Sequence, residues 1–190
     1  MNQTSLPALV LIDLQQGFDH PRWGTRNNPD AEQRIAALLA AWRQAAGPVV
    51  HVRHMSTEPD SPLRPNQPGN LFKPEAAPRG GEPVFEKTVN SAFIGTPLEA
   101  HLRREGIQRL VVVGLSTDHC ISTTVRMAGN LGFDVVVVDD GTATFERASP
   151  DGTQYPADQV HRIALASLHG EFAQVQSSRE VLAGLAGRLP

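Results

Sequence analysis

Short apolar runs alternate along the chain with longer segments in which apolar residues recur every three or four positions. Runs of the first kind are typical of strands buried on both faces, and the longer segments are typical of helices with one buried face. Strands are predicted at residues 8–13, 49–53, 83–87, 110–113, 133–138 and 172–175. Because strands and helices alternate, we expect an α/β fold with a parallel sheet, helices on both faces and right-handed crossovers.

The helices are predicted from apolar spacing and from capping residues. Helices are expected after Asp30, over 97–105, after Asp118, over 157–168, and after Ser177 or Ser178. In the helix over 157–168, Val160, Ile163, Ala164 and Leu168 are predicted to face the sheet. Two segments rich in Pro, Gly and polar residues, 56–83 and 142–156, are predicted to be long loops, and the first is expected to cover the strand ends.

The most informative segment contains Cys120, which is the only cysteine of the chain. The strand over 110–113 is expected to end at Gly114, and Thr117 and Asp118 are good helix N-caps. Cys120 would then lie in the first turn of a helix just beyond a strand's carboxyl end, where open α/β sheets bind ligands. The helix dipole favours a thiolate there, although a lone cysteine is more often a small buried hydrophobe than a nucleophile.

Two further strand ends carry charged residues that could act with the cysteine. Asp13 ends the first apolar run, and Lys87 ends the short strand over 83–87. Since parallel strands align their carboxyl ends, both side chains are expected at the same edge of the sheet as Cys120. His51 and His54 are three positions apart on a strand, so they point to opposite faces and make a poor metal pair.

Length, charge and cysteine content restrict the remaining possibilities. The 190 residues suit one α/β domain that spans residues 1–190. A net charge of −3 and the lack of a basic stripe argue against nucleic acid as a partner. No apolar stretch approaches a membrane span, so no membrane association is expected. A single cysteine excludes an internal disulfide and, with no signal-peptide pattern at the N-terminus, favours a cytoplasmic location.

Three motifs resemble those of the isochorismatase-like cysteine hydrolases, and they occur in the order found in that family. They are LIDLQQGF at 11–18, EK at 86–87 with NSAF at 90–93, and GLSTDHC at 114–120. The resemblance covers nearly the whole chain. The loop sequence SPLRPNQPG at 61–69 is most similar to the branch that contains streptothricin hydrolases and uncharacterised members.

The resemblance implies a fold and a set of site residues. It implies a six-stranded parallel sheet in a three-layer αβα sandwich, a catalytic triad of Asp13, Lys87 and Cys120, and a homo-oligomer, either dimer or tetramer. It also implies a cis peptide between Leu115 and Ser116, which would turn the Ser116 N–H inward. That N–H group and the N–H of Cys120 would then form the oxyanion hole.

These residues lead to a hypothesis about the reaction. Cys120, activated by Lys87 and the helix N-terminus, would attack the carbonyl of a small amide or ureide, and Asp13 would move the protons. The product of this step would be a thioester acyl-enzyme, which water then cleaves. One alternative is the vinyl-ether hydrolysis of isochorismatases proper, which needs no thiol, so Cys120 weighs against it. A second alternative is a non-catalytic interaction domain that retains the fold.

No cofactor is predicted, and no catalytic metal. The zinc-binding Asp-x-His pair of the nicotinamidase branch is not found where the sequence reads HVRHM at 51–55, and 56–83 contains no histidine. Arg53 could pair with a substrate carboxylate or, equally, with an acidic neighbour. The predicted walls of the substrate pocket are loop residues at the same sheet edge: Phe18, Trp23, Arg53, His54, Asn90, Phe93, Asp118, His119 and Phe145.

Overall fold

The computed structural model describes residues 6–187, and its centre is a six-stranded parallel sheet. The sheet has the order β3-β2-β1-β4-β5-β8, and a separate two-stranded hairpin is formed by β6 and β7. The strands are β1 Ala8–Ile12, β2 Val49–His54, β3 Val84–Lys87, β4 Arg109–Leu115, β5 Asp134–Ala143, β6 Arg147–Ala148, β7 Gln154–Tyr155 and β8 Gln174–Gln176.

Five α-helices cover the two faces of this sheet, so the predicted three-layer αβα sandwich is confirmed. They are α1 Ala31–Gln44, α2 Leu98–Arg104, α3 Ser122–Asn130, α4 Ala157–Ala166 and α5 Ser178–Ala186. Side chains of β1 alternate between the two faces, as expected for a strand. Val10 and Ile12 pack in the same core cluster as residues of α2, α3 and α4, whereas Leu9 and Leu11 pack with residues of α1 and α5.

The pairings of β1 with β2 and β4, and of β2 with β3, are parallel and continuous in register, which brings the carboxyl ends of these strands to one edge. Ile12 at the end of β1 lies beside Val52 of β2 and Gly114 of β4. His54 of β2 lies beside Lys87, the last residue of β3. The residues that follow these strands therefore meet at one edge of the sheet.

The structure corrects the predicted end of the fourth strand. β4 continues through Gly114 to Leu115 instead of stopping at the glycine. Gly114 has a φ of 127°, and a Cβ there would lie 2.0 Å from the Ile12 carbonyl oxygen. The glycine is therefore required by the close approach of β1, and it does not end the strand. The peptide that follows, Leu115–Ser116, is cis.

The predicted helix start near Thr117 and Asp118 is also wrong in detail. A π-helical turn, Thr117–Ile121, precedes α3, and no side chain caps it. The hydroxyl of Thr117 pairs with His161, and the Asp118 carboxylate accepts hydrogen bonds from Thr144 and Arg147. The side chains of Thr117 and Asp118, which were predicted to cap the helix, therefore bind residues that are distant in sequence instead.

Two other predictions differ from the structure. Ile163 is 60% exposed, and His161 and Leu165 occupy the inner face of α4 instead. The predicted loop over 142–156 begins as the end of β5 and contains the β6–β7 hairpin. By contrast, 56–83 does lie over the strand ends, since the Lys73 N–H donates to the Leu14 carbonyl. No helix within residues 6–187 combines the length and the apolar character needed to cross a membrane.

Candidate active site

Asp13 lies immediately after β1, in a backbone conformation that turns the chain out of the sheet. Its φ is 54°, and its N–H donates to the Val52 carbonyl at 2.9 Å. The side chain is fully buried, and its Oδ1 has no hydrogen-bond partner among the described residues. A buried carboxylate is costly without a counter-charge, so a nearby cation is required.

Lys87 supplies that cation from the end of β3. Its Nζ donates to Asp13 Oδ2 at 2.6 Å, and both side chains have no exposed surface. The same Nζ lies 3.3 Å from Cys120 Sγ, 3.2 Å from His54 Nδ1 and 3.2 Å from the Val89 carbonyl oxygen. An ammonium has three N–H groups, so four acceptors share three donors and the bond to sulfur can strengthen when charge develops there.

Cys120 lies within the π-helical turn and completes the cluster. The residue is 7% exposed, and its Sγ lies 3.7 Å from Asn90 Oδ1 as well as close to Lys87. The structure therefore brings Asp13, Lys87 and Cys120 together at one edge of the sheet, as the motif positions indicated. Asn90, one of the predicted pocket residues, contacts the sulfur directly.

The electrostatics of the cluster correct one part of the sequence hypothesis. Burial by itself would lower the pKa of Lys87, but the Asp13 charge and the hydrogen bonds to Asp13 and Cys120 outweigh it and hold that pKa above its ordinary value. Burial, and next the Asp13 charge, raise the pKa of the Cys120 thiol far above its usual range, although Lys87 opposes this. The resting sulfur is therefore a thiol, with a carboxylate beside it that can take its proton.

His54 and Gln15 form the wall of the site on the β2 side. Burial, followed by the charge of Lys87, lowers the pKa of His54, so its ring is neutral and accepts from the lysine. The buried Gln15 side chain accepts from the His54 N–H and donates to the carbonyls of His54 and Asn70. This amide joins the end of β2 to the loop over 56–83 and holds the backbone of His54.

A second polar network supports the turn that carries the cysteine. His161 of α4 lies 2.9 Å from the Thr117 hydroxyl, and burial lowers the pKa of His161, so its ring is neutral. The Asp118 carboxylate receives Arg147 Nε at 2.8 Å. Ser116, which precedes this turn, is 5% exposed. The turn is thus held by side chains from α4 and from β6.

The remaining predicted pocket residues are found in several different surroundings. Phe18, Trp23 and Phe145 pack against one another, with ring centroids 5.3 to 6.2 Å apart. Arg53 pairs with the Glu86 carboxylate, which is the acidic-neighbour alternative. Phe93 packs on Phe133 with centroids 5.9 Å apart, and the ring of His119, 55% exposed, lies 3.4 Å from the Asp118 carboxylate. Of the nine, His54 and Asn90 contact the Asp–Lys–Cys cluster in the described hydrogen bonds.

Sequence reasoning missed several residues that shape this site. Gln15, Thr117, His161 and Arg147 were not predicted to have site roles, and their contacts lie 29 to 55 positions away in sequence. A buried polar residue inside an apolar pattern is the signal that could have found them. Gln15 beside Asp13 and His161 on the inner face of α4 both carry that signal.

One group of side chains in residues 6–187 could hold a metal ion. Asp13, His54 and Cys120 each offer one ligand atom, and these atoms lie within 4.8 Å of one another. Lys87 Nζ contacts all three residues, so its ammonium lies where such an ion would bind. The expectation that no catalytic metal is needed stays a prediction.

Comparison with known proteins identifies the class to which this fold and site belong. Residues 7–180 match the family model that describes the isochorismatase domain. The chain therefore belongs to the isochorismatase family of hydrolases, which confirms the resemblance carried by the three motifs.

Individual relatives agree with this assignment. The chain is 42% identical over 175 residues to the uncharacterised isochorismatase family protein YrdC of Bacillus subtilis, covering 92% of this chain and 94% of that protein. It is 33% identical over 179 residues to a streptothricin hydrolase of Streptomyces noursei, covering 92% of this chain and 63% of that enzyme. Both the uncharacterised and the streptothricin-hydrolase relatives belong to the branch indicated by the loop sequence.

Solved structures show the same fold. A crystal structure from Chromobacterium violaceum, assigned to a hydrolase of the isochorismatase family, has a TM-score of 0.93 and 52% identity, covering 95% of this chain and 94% of that one. The N-carbamoylsarcosine amidase of Thermoplasma acidophilum has a TM-score of 0.69 and 27% identity, covering 90% and 96% of the two chains.

Proposed function

We propose that this protein is a cysteine-dependent hydrolase that cleaves a C–N bond of a small amide or ureide. The observation that carries the proposal is one ammonium, Lys87 Nζ, 2.6 Å from the Asp13 carboxylate and 3.3 Å from Cys120 Sγ. A nucleophile, an acid–base group and a cation within one buried cluster are the parts that acyl transfer requires. The structural similarity to an N-carbamoylsarcosine amidase favours a ureide or amide as the substrate class.

In the first half of the reaction, Cys120 becomes acylated. The Asp13 carboxylate takes the thiol proton as the sulfur forms a bond to the carbonyl carbon, and the carbonyl electron pair moves to oxygen. Lys87 stabilises the negative charge that develops at sulfur. The tetrahedral intermediate then breaks its C–N bond, and protonated Asp13 gives its proton to the leaving nitrogen.

In the second half, water releases the acyl group. Asp13, again a carboxylate, takes a proton from a water molecule as the oxygen of that water attacks the thioester carbon. The C–S bond then breaks, and the proton returns to Cys120. Because the resting Cys120 is a thiol, its proton passes to Asp13 only as the sulfur attacks the substrate carbonyl in the first half of the reaction. By then the polar substrate has replaced solvent at the site.

The oxyanion of both tetrahedral intermediates is assigned to the backbone N–H groups of Ser116 and Cys120. Both residues are more than nine-tenths buried and belong to the turn between β4 and α3. The loss of one such donor costs about 100- to 1000-fold in other enzymes. The substrate itself is assigned to the side of the cluster where Asn90 and His54 lie, since these two predicted wall residues contact it. A homo-oligomer and a cytoplasmic location stay predictions.

The decisive experiment is turnover of a panel of small amides and ureides by wild-type protein, Cys120→Ala and Cys120→Ser, measured as ammonia release. We expect wild-type activity on at least one compound, and a fall of about 1000-fold or more in both variants because the nucleophile is lost. Ser122→Ala is the control, since Ser122 contacts Arg126 on α3. Undiminished activity in Cys120→Ala would exclude the cysteine mechanism.

A further inference from the structure

We propose that Asp13, His54 and Cys120 form a latent site for Zn²⁺, which takes the place of the Lys87 ammonium and blocks the nucleophile. The three side chains offer a carboxylate oxygen, an imidazole nitrogen and a sulfur, all within 4.8 Å of one another. These are the donor types that zinc binds, commonly three from the protein with a fourth position left to water. The site itself is argued independently of the hydrolase function, and its inhibitory consequence rests on that function.

The first observation behind this proposal is that a cation already lies between the three donors. Lys87 Nζ is 2.6 Å from Asp13 Oδ2, 3.2 Å from His54 Nδ1 and 3.3 Å from Cys120 Sγ. The lone pairs of these atoms therefore converge on one position, where the protein holds positive charge. A metal ion would use His54 Nδ1, Cys120 Sγ and either carboxylate oxygen of Asp13, at shorter distances.

The second observation is independent of the lysine. Asp13 is fully buried, and the oxygen that does not bind Lys87, Oδ1, has no partner among the described residues. An unpaired carboxylate oxygen in a buried site is costly, and a metal ion would satisfy it. On the other side, Gln15 bonds the backbone N–H and carbonyl of His54, so the strand end that carries this ligand is held before any ion binds.

The charge balance of the exchange also favours a divalent ion. Before binding, the cluster holds the Asp13 carboxylate, the Lys87 ammonium and a neutral thiol. When Zn²⁺ enters, the S–H bond breaks, a Zn–S bond forms, the proton leaves to solvent and the ammonium moves out of the cluster. Two positive charges thus replace one ammonium and one thiol proton, so the net charge of the site is unchanged and no oxidant or reductant is needed.

Donor chemistry predicts which ions bind. Sulfur and imidazole ligands select Zn²⁺ and the similar Co²⁺, whereas Mg²⁺ prefers oxygen ligands. Lys87 competes for the same three atoms and repels a second cation at close range. Removing the lysine charge should therefore change the latent site into an open one.

The test uses Co²⁺ as a spectroscopic probe of full-length Lys87→Met protein and of wild type. We expect a thiolate-to-cobalt charge-transfer band, at one Co²⁺ per chain, in Lys87→Met, and the same band in wild type with binding about 10-fold to 1000-fold weaker. Adding Cys120→Ser to Lys87→Met should abolish the band, and adding His54→Gln should weaken binding about tenfold or more. His119→Gln in the same background is the matched control and should leave the band unchanged, because His119 lies beside Cys120 in sequence but outside the cluster. Mg²⁺ should not displace Co²⁺, whereas Zn²⁺ should.

Several results would overturn the proposal. They are the absence of a charge-transfer band in folded Lys87→Met, its absence in wild type at saturating Co²⁺, a band that survives Cys120→Ser, or equal binding with and without His54. If Lys87→Met does not fold, protection of Cys120 from iodoacetamide by Zn²⁺ in wild type, reversed by EDTA and lost in His54→Gln, tests the same site. None of these measurements needs a substrate, so a failed zinc site and a failed hydrolase proposal give different results.

Discussion

Lys73 and Lys87 are both buried beside carboxylates, and they lie in quite different surroundings. Lys73, in the loop over 56–83, lies 3.0 Å from Glu32 of α1 and also pairs with Asp19. Lys87, at the end of β3, lies 2.6 Å from Asp13. Both lysine side chains are at most 8% exposed. Burial of an ion pair therefore does not by itself distinguish a reactive site from a structural one.

The difference lies in what else each carboxylate contacts. Glu32 receives both Arg26 guanidinium nitrogens, at 2.7 and 2.5 Å, in addition to Lys73, so its oxygens are fully occupied. Asp13 has one oxygen on Lys87, and its other oxygen has no partner within residues 6–187. A saturated carboxylate is suited to holding α1 against the loop. An unsaturated one beside a thiol is suited to moving protons.

The largest expected contrast between the two ion pairs comes from removing each lysine in turn. Lys87→Met should lower kcat/KM on an active amide by about 100-fold or more, because Asp13 loses its counter-charge and the sulfur loses its cation. Lys73→Met should change kcat/KM of the folded enzyme by less than about threefold, and should lower the free energy of unfolding by about 3 kcal/mol. Turnover and urea unfolding of both variants check this. Equal losses of turnover in the two variants would mean that the Lys87 pair is only structural.

A smaller contrast, about tenfold in thiol alkylation, is expected from Asp13→Asn, which should change alkylation and hydrolysis in opposite directions. The variant removes the charge that, after burial, most raises the pKa of the Cys120 thiol, while Lys87 remains. Alkylation by iodoacetamide at neutral pH should therefore become about tenfold faster, although hydrolysis is lost. The mass shift of the intact chain measures it without ambiguity, since Cys120 is the only cysteine. Asp19→Asn, beside Lys73, is the control and should alkylate at the wild-type rate.

The smallest effect concerns acid stability at the structural pair. Burial alone would raise the pKa of Glu32, but Arg26 and Lys73 outweigh it and lower the pKa from 4.5 to about 2. A carboxyl pKa that is lower in the folded state stabilises the protein above pH 4.5, and this contribution is lost as the pH falls from 4.5 through 2. It amounts to at most about 3 kcal/mol.

Urea unfolding of wild type and Glu32→Gln at several pH values between 7 and 2 measures that contribution. The difference in unfolding free energy should be largest at pH 7 and should shrink as the pH falls toward 2. Burial would also raise the pKa of Glu82, but Arg43 outweighs it and lowers that pKa to about 2. Because Glu82 is present in both proteins, its contribution cancels in the comparison. A difference that does not change with pH would show that Glu32 does not titrate against Arg26 and Lys73.

Much of the fold and the core of the site could be predicted from local sequence, for identifiable reasons. Apolar runs such as 8–12 favour doubly buried strands, and their alternation with helices favours a parallel sheet. Asp13 and Lys87 could be placed because each ends such a run. The direction of the Cys120 pKa shift could not be predicted in this way. The helix-dipole argument considers only the helix that carries the cysteine, whereas burial and the Asp13 charge depend on several elements that pack together.

The sequence by itself determined the alternation of strands and helices, the edge at which Asp13, Lys87 and Cys120 meet, and the family to which the chain belongs. These depend on periodicity and on motifs that short segments carry. Only the tertiary structure decided that the sulfur is a resting thiol, that Gln15 and His161 fix the walls and the turn, and that Arg53 is neutralised by Glu86. Each of these depends on distances between residues far apart in sequence, and the free energy of a charge is set by everything that surrounds it.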